Sequence, residues 1–203
     1  MQFLMLCKYI YSRFTTYRYV FRRNIKVVTM GGVTSDSSFS VSTDIKNDDS
    51  FSFGTISIPG SQVFAKSSMS YAFVNIRPFM PGHSLVSPLR VVKRYKDMTA
   101  AELADLSALV QVTAEALEQK HNASACTIVC QDGEAAGQTI SHVHFHIIPR
   151  VKDDLAEPDS IYDELEKPTN RLWTPEEMSV AANDMRPFVD KVVSERKVGS
   201  LTI

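Results

Sequence analysis

Residues 137–150 read Gly137-Gln138-Thr139-Ile140-Ser141-His142-Val143-His144-Phe145-His146-Ile147-Ile148-Pro149-Arg150. Within this stretch, three histidines alternate with apolar residues. A period of two is typical of a half-buried β-strand, because successive side chains of a strand point to opposite faces. We therefore predict a strand that ends at Pro149 and carries three imidazoles on one face, about 6.6–7 Å apart at a rise of ~3.3 Å per residue.

Further strands are predicted from short apolar runs that are bounded by turn residues. The turn Pro81-Gly82 precedes one of them, and the turn Asp132-Gly133 separates another from the histidine segment. The predicted strands cover residues 62–65, 71–75, 84–88 and 125–131.

Two capping boxes predict two helices. Thr99-x-x-Glu102 begins a long helix, whose apolar residues recur at helical spacing to about Gln119. A second box, Thr174-x-x-Glu177, begins a C-terminal helix that Pro187 should kink or end. Residues 151–170, which precede this second helix, are acidic and are predicted to be a loop.

Composition divides the chain into three parts. Residues 1–50 are predicted to be a disordered basic extension and a Ser/Thr/Asp-rich linker, residues 51–193 the folded domain, and residues 194–203 a frayed tail. Residues 1–30 contain six Lys or Arg and no Asp or Glu. They are interpreted as an organelle presequence, a disordered extension, or sequence upstream of a start codon at Met30.

Bulk composition excludes some classes of protein. The formal net charge of -1 gives no support for a nucleic-acid partner, and no run of about 18 apolar residues supports a transmembrane segment. Cys126 and Cys130 would lie about 13 Å apart on one strand, too far for a disulfide. A reducing intracellular compartment is therefore expected: the cytoplasm, or the mitochondrion if residues 1–30 act as a presequence.

Two kinds of chemistry suit three histidines on one face of a strand. Alternate histidines can supply two ligands to zinc, but nothing marks a nearby carboxylate or cysteine as a further ligand, so no metal ligand is predicted. The favoured chemistry is nucleophilic attack on phosphorus by one neutral imidazole. Its other ring nitrogen must hold the proton against an acceptor, while flanking histidines donate to phosphate oxygens.

The segment resembles the histidine triad superfamily, whose pattern is His-x-His-x-His-x-x with apolar x. The similarity covers roughly residues 51–190 and is most specific to the fragile-histidine-triad branch. The motifs that carry it, besides the triad, are Ser70–Pro78, Pro81-Gly82-His83, Pro88-Leu89-Arg90, Gln131–Thr139 and Asp159-Ser160-Ile161-Tyr162.

This resemblance implies an α+β fold: an antiparallel sheet with one long helix and a C-terminal helix, assembled as a homodimer. The implied activity is that of a bis(5'-adenosyl)-triphosphatase. Such an enzyme hydrolyses dinucleoside polyphosphates, chiefly diadenosine triphosphate to AMP and ADP, through a covalent nucleotidyl-histidine. A divalent cation, magnesium or manganese, would accompany the substrate phosphates.

The resemblance also implies a role for each matching residue. His144 would be the nucleophile on the α-phosphate, and the backbone carbonyl of His142 would hold its ring. His83 would support the triad from a neighbouring strand. The implied substrate contacts are Asn75 to the ribose, Gln131 to the nucleotide, Gln138 and His146 to the phosphate, and Gly137, Thr139 and Ile140 lining the phosphate.

Some positions depart from the branch, and two other functions remain open. Residues 54–57 lack a histidine that the branch can carry near the adenosine, and Ser84 and Ser87 are more polar than expected. A nucleoside phosphoramidase is one alternative, although members of that branch carry Ser at the position of Gln138 and end soon after the triad. The other is a dinucleotide-binding signalling protein with slow turnover, which would need the same pocket.

Overall fold

The histidine segment leads into the fourth strand of a five-stranded antiparallel sheet. The computed structural model describes residues 39–157, 160–166 and 171–199. The strands are β1 (Ser50–Phe53), β2 (Ile56–Pro59), β3 (Val63–Lys66), β4 (Ser70–Val74), β5 (Ser84–Pro88), β6 (Ala125–Val129) and β7 (Phe145–Arg150). The five-stranded sheet has the order β3-β4-β5-β7-β6, and β1 and β2 form a separate hairpin.

Within the residues that the structure describes, three α-helices complete the α+β fold that the sequence predicted. They are α1 (Ala100–His121), α2 (Ile161–Glu166) and α3 (Pro175–Gly199). Apolar residues of α1 and α3 pack with Val74, Val86 and Ile147 into one core on the helical face of the sheet. On the opposite face, Phe53 of the hairpin packs against Phe73, with ring centroids 5.2 Å apart. The hairpin therefore covers one side of the sheet and the helices cover the other.

The capping box that predicted α1 is present. The Glu102 backbone N–H donates to Thr99 Oγ1 at 3.2 Å, and Glu102 Oε2 accepts from the Thr99 backbone N–H at 2.8 Å. Glu102 also receives two hydrogen bonds from Arg90, at 2.6 and 2.7 Å. This carboxylate therefore connects the start of α1 to the segment that follows β5.

The C-terminal helix is longer than predicted. Pro187 lies inside α3 and does not end it, and the helix continues through residues 194–199, which were predicted to be a tail. A proline inside a helix loses one backbone hydrogen bond. Beyond it, however, Val189 and Val192 are fully buried in the helical core, and their burial offsets that loss.

Three further predictions differ from the structure. Ser42 forms a β-bridge with Lys66 and Ile45 is buried, so part of the predicted linker packs on the domain. The β1–β2 hairpin, with Gly54 at a φ of 62°, was not predicted, and α2 lies in a segment predicted to be loop. Residues 1–38 and 200–203, and Asp159 of the last motif, lie outside the described residues.

Candidate active site

The faces of the histidine segment alternate as predicted, but regular strand pairing begins only at Phe145. Val143 and Ile147 belong to the helical core, whereas His142 and His144 lie against Phe53 of the hairpin, with centroid distances of 5.8 and 5.1 Å. The rings of His144 and His146 lie 5.1 Å apart, closer than a straight strand would place them. His142 and His144 thus lie on an irregular segment before β7, which is a correction to the predicted strand.

A break in the pairing with β5 explains this irregularity. Leu85 lies opposite His146 and Val86 opposite Phe145. Continuing that register would place Pro88 opposite Val143, and proline cannot donate to a ladder. The Ser87 hydroxyl donates instead to the Val143 carbonyl at 2.7 Å, while the Val143 N–H donates to the Val92 carbonyl at 2.7 Å.

His144 has one ring nitrogen fixed and one free of hydrogen bonds to the described protein. Its Nδ1 lies 2.8 Å from the His142 carbonyl, so Nδ1 carries the proton and donates. Nε2 is then left with its lone pair. Burial lowers the pKa of His144, against the opposing effect of the bond to His142, so the ring is neutral at pH 7. A buried, neutral imidazole with a directed lone pair is suited to nucleophilic attack.

The His142 ring is fixed as firmly as its backbone. It is fully buried; its Nε2 lies 3.1 Å from the Arg90 carbonyl, and its Nδ1 accepts the Gly54 backbone N–H at 3.1 Å. The tautomer is therefore set, with the proton on Nε2. Because this ring ties the hairpin turn to the segment after β5, it also holds the carbonyl that orients His144.

His146, His83 and Asn75 form a polar chain, in which His83 is buried and the other two are partly buried. His146 Nδ1 lies 2.9 Å from His83 Nε2, and the Asn75 amide nitrogen lies 3.0 Å from that same His83 atom. Burial lowers the pKa of both histidines far below 6.5, so both rings are neutral at pH 7. If His83 Nε2 donates to His146 Nδ1, the Asn75 amide donates instead to His83 Nδ1, 3.4 Å away, and the proton of His146 sits on its Nε2. The Asn75 side-chain oxygen accepts from the Arg77 N–H at 3.0 Å.

The loop that contains Gln138 is held by its own side-chain amide. Gln138 Oε1 accepts the Gly133 N–H at 2.7 Å, and its Nε2 donates to the carbonyls of Ile140 and Lys93 at 2.9 and 3.2 Å. Both amide protons are thus used on the backbone. In this structure Gln138 shapes the loop, and its predicted contact with phosphate requires one of these bonds to be exchanged.

Gly137 allows this loop to approach Gln131. Its φ of +85° lies in the left-handed region, and a Cβ added there would lie 2.6 Å from Gln131 Nε2. Gly137, Gln138 and Thr139 line a cleft of about 590 Å³. Ile140 faces the other way and packs against the hairpin core. Of the predicted residues at 131–140, Gly137, Gln138 and Thr139 therefore line this cleft, whereas Gln131 and Ile140 are not among its lining residues, and neither are Asn75 and His83.

Several residues that shape the site were not predicted from the sequence. Gly54 and Arg90 act through backbone groups, which leave no trace in residue type, and Ser87 was noted only as a departure from the branch. Lys93 lies beside Gln138 and lines the same cleft. A second cavity of about 730 Å³, on the helical side, touches the triad network only at His83 and is otherwise lined by residues such as Phe79, Trp173 and Val180.

Two cysteines lie in or directly after strand β6. Cys126 and Cys130 are free thiols, and burial raises their pKa to about 12 and about 11.

Among the described residues, no group of three or more His, Cys, Asp or Glu side chains is arranged to hold a metal ion. The helices within the described ranges also include none that is both long and apolar enough to cross a membrane.

Comparisons with known proteins agree with the geometry. Residues 59–153 match the HIT domain family. The chain is 51% identical over 113 residues to the asymmetrical bis(5'-nucleosyl)-tetraphosphatase of Schizosaccharomyces pombe, a match that covers 56% of this chain and 62% of that relative. It is 46% identical over 123 residues to the bifunctional bis(5'-adenosyl)-triphosphatase/adenylylsulfatase FHIT of Arabidopsis thaliana, covering 61% and 68% of the two chains.

A solved structure shows the same fold. The diadenosine triphosphate hydrolase of Plasmodium falciparum, in complex with cyclomarin A, aligns with a TM-score of 0.61 at 31% identity, over 72% of this chain and 88% of that one. The matched part of this chain spans less than two thirds of the S. pombe relative. The chain belongs to the histidine triad family, and these relatives confirm the predicted resemblance to its fragile-histidine-triad branch.

Proposed function

We propose that this protein hydrolyses dinucleoside polyphosphates, chiefly diadenosine triphosphate to AMP and ADP, with His144 as the nucleophile. The observation that carries the proposal is the 2.8 Å contact between His144 Nδ1 and the His142 carbonyl, which leaves Nε2 unprotonated. The names of the S. pombe and A. thaliana relatives support a dinucleoside polyphosphate as the substrate.

The reaction would take place in two displacements at the α-phosphorus. In the first, the Nε2 lone pair of His144 forms a bond to phosphorus as the bond to the bridging oxygen breaks, and ADP leaves. In the second, water attacks the nucleotidyl-histidine, the phosphorus–nitrogen bond breaks, and AMP leaves with the imidazole restored. Two inversions should retain the configuration at phosphorus.

The neighbouring histidines would supply hydrogen bonds rather than charge. Their burial keeps His83 and His146 neutral, so each has one N–H to donate. With His83 Nε2 donating to His146 Nδ1, the His146 Nε2–H is available for an oxygen of the reacting phosphate. Preorganised donors of this kind stabilise the charge that develops in the transition state.

Tetraphosphates are a second candidate substrate class, because the S. pombe relative is named for them. A panel of diadenosine tri- and tetraphosphate and adenosine phosphoramidate, with product analysis, tests the proposal. We expect AMP with ADP from the triphosphate, and AMP with ATP from the tetraphosphate. Preference for the phosphoramidate would instead favour a nucleoside phosphoramidase. Very slow turnover with tight binding would favour a dinucleotide-binding signalling protein.

The divalent cation is proposed to enter with the substrate. The described donor set offers no cluster for a resident metal. Magnesium and manganese bind phosphate oxygens readily while keeping several waters. We therefore assign the cation to the substrate phosphates and give no residue of this chain as its ligand.

Assembly as a homodimer and an intracellular location are also proposed. Strand β6 forms one edge of the sheet, and its Ile128 is 47% exposed. An apolar edge strand of this kind pairs readily with a second copy. The molar mass in solution, measured by light scattering, tests the dimer. The free thiols of Cys126 and Cys130 fit a reducing compartment.

A further inference from the structure

The cleft beside Gln138 is lined by charged and hydroxyl-bearing residues together with glycines. The lining residues include Lys93, Arg94, Glu134, Thr139, Ser141, Gly133 and Gly137. Polyphosphates are recognised by such combinations of backbone N–H groups, hydroxyls and cations. This cleft is therefore suited to binding a chain of phosphates.

The two cationic side chains that line the cleft differ in whether they form an ion pair. Arg94 is paired with Asp132, with Nε–Oδ1 and Nη2–Oδ2 distances of 3.0 and 3.2 Å. Lys93 is exposed, and within the described residues no carboxylate oxygen lies within 4.0 Å of its ammonium group. Lys93 is therefore the cation that can bind a ligand without breaking an ion pair.

The backbone of Lys93 is fixed against the triad segment. Three successive contacts join the two stretches: the His142 ring with the Arg90 carbonyl at 3.1 Å, the Val143 N–H with the Val92 carbonyl at 2.7 Å, and the Gln138 amide with the Lys93 carbonyl at 3.2 Å. The last of these contacts places the Lys93 backbone beside the Gln138 side chain. Because the family resemblance implies that Gln138 contacts phosphate, a polyphosphate bound at His144 and Gln138 would bring its distal phosphates near Lys93.

We infer that Lys93 forms a subsite for the distal phosphates of the leaving nucleotide and sets the preference for polyphosphate length. This inference rests on the proposed function and adds a residue to it. A longer chain places more negative charge beside Lys93, so a tetraphosphate gains more from it than a triphosphate. Glu134 also lines the cleft, and its negative charge disfavours phosphate beside it.

The experiment compares kcat/KM for diadenosine tetraphosphate and triphosphate in Lys93→Ala, Lys93→Arg and the unsubstituted protein. A charge-assisted hydrogen bond is the interaction lost, so Lys93→Ala should lose about tenfold on the tetraphosphate and clearly less on the triphosphate. Lys93→Arg should keep the original ratio. Lys96→Ala, an exposed lysine of the same segment that does not line the cleft, is the matched control and should change neither value.

An unchanged ratio in Lys93→Ala, or an equal loss on both substrates, would overturn the subsite while leaving the proposed hydrolysis intact. Absence of hydrolysis of either dinucleotide by the unsubstituted protein would instead overturn the proposed function, and the subsite with it. The p-nitrophenyl ester of AMP, whose leaving group carries no phosphate, provides a further readout. Lys93→Ala should cleave it as fast as the unsubstituted protein, and a loss there would contradict a distal role.

Discussion

The two ring nitrogens of His144 have different surroundings, and this difference underlies the proposed chemistry. One nitrogen is held by the His142 carbonyl, and the other is left with its lone pair. The His142 ring is held in turn by Gly54 and Arg90. Each histidine thus has its own task, although the sequence shows three equivalent rings.

His83 is expected to act as a positioning residue through His146. Replacing it with alanine leaves His146 Nδ1 without its partner at 2.9 Å, so the ring loses its fixed tautomer. Partners that orient metal-ligating histidines are typically worth about 10–100-fold in affinity or activity, and we expect a comparable effect for a partner that orients a phosphate-binding histidine. We therefore predict that His83→Ala lowers kcat for diadenosine triphosphate by about that factor, with a smaller change in KM.

His83→Gln, which keeps a donor near the same place, should recover part of the lost kcat. Steady-state kinetics of both variants, with thermal unfolding as a check on folding, measures this. Equal losses in the two variants, or a change confined to KM, would contradict a positioning role.

At the residue scale, the sequence predicts identities better than contacts. Gly137 and Gln138 line one cleft, and the rings of His144 and His146 lie 5.1 Å apart. The sequence could not predict that both amide protons of Gln138 are used by backbone carbonyls, because those carbonyls come from Ile140 and from Lys93, far apart in the chain. Side-chain to backbone contacts of this kind depend on the fold rather than on residue type.

At the element scale, the start of α1 is coupled to the active-site segment through Glu102, which caps the helix and pairs with Arg90. Arg90 also provides the carbonyl that holds the His142 ring. Thr99→Ala removes the acceptor for the Glu102 N–H, and loss of an N-cap typically costs about 1 kcal/mol. We predict that destabilisation, measured by urea unfolding.

Thr55→Ala is the matched control, because Thr55 is exposed in the hairpin turn. Its effect should stay within about 0.5 kcal/mol. Equal stability of Thr99→Ala and the unsubstituted protein would show that the capping box contributes nothing to the folded state.

Elements with a local signal were predicted well, and those with a tertiary cause were not. Both long helices were predicted from a capping box followed by apolar residues at helical spacing. The break before β7 depends on Pro88 of another strand, and the survival of α3 past Pro187 depends on buried contacts of Val189 and Val192. The β1–β2 hairpin did have a local signal, since Gly54-Thr55 lies between alternating apolar residues, a pattern typical of a two-residue turn.

For the whole molecule, three buried histidines and the partly buried His146 make stability depend on pH. Burial lowers the pKa of each below that of the unfolded chain, about 6.5. Below pH 6.5 the unfolded state therefore binds more protons than the folded state, and stability falls as pH falls toward the folded values. Above pH 6.5 this penalty is absent. The histidines are His83, His142, His144 and His146.

The free energy of unfolding should accordingly drop between pH 7 and pH 5, by up to about 1.4 kcal/mol per pH unit for each histidine that stays neutral in the folded state. Carboxylates such as Glu102 titrate below this window, so the histidines dominate it. Urea unfolding at pH 7, 6 and 5 measures the slope. A stability that is constant across this range would contradict the burial of neutral histidines.

The central claim is that His144 becomes covalently linked to the nucleotide. Rapid base-quenching during turnover of diadenosine triphosphate labelled in its α-phosphates, followed by peptide mapping under non-acidic conditions, tests it most directly. We expect one AMP group on the peptide that contains His144, stable to base and released by acid, as a phosphoramidate is. His144→Asn should carry no label and should lose turnover by at least about a thousandfold. AMP attached to another residue, or near-normal turnover by His144→Asn, would contradict it.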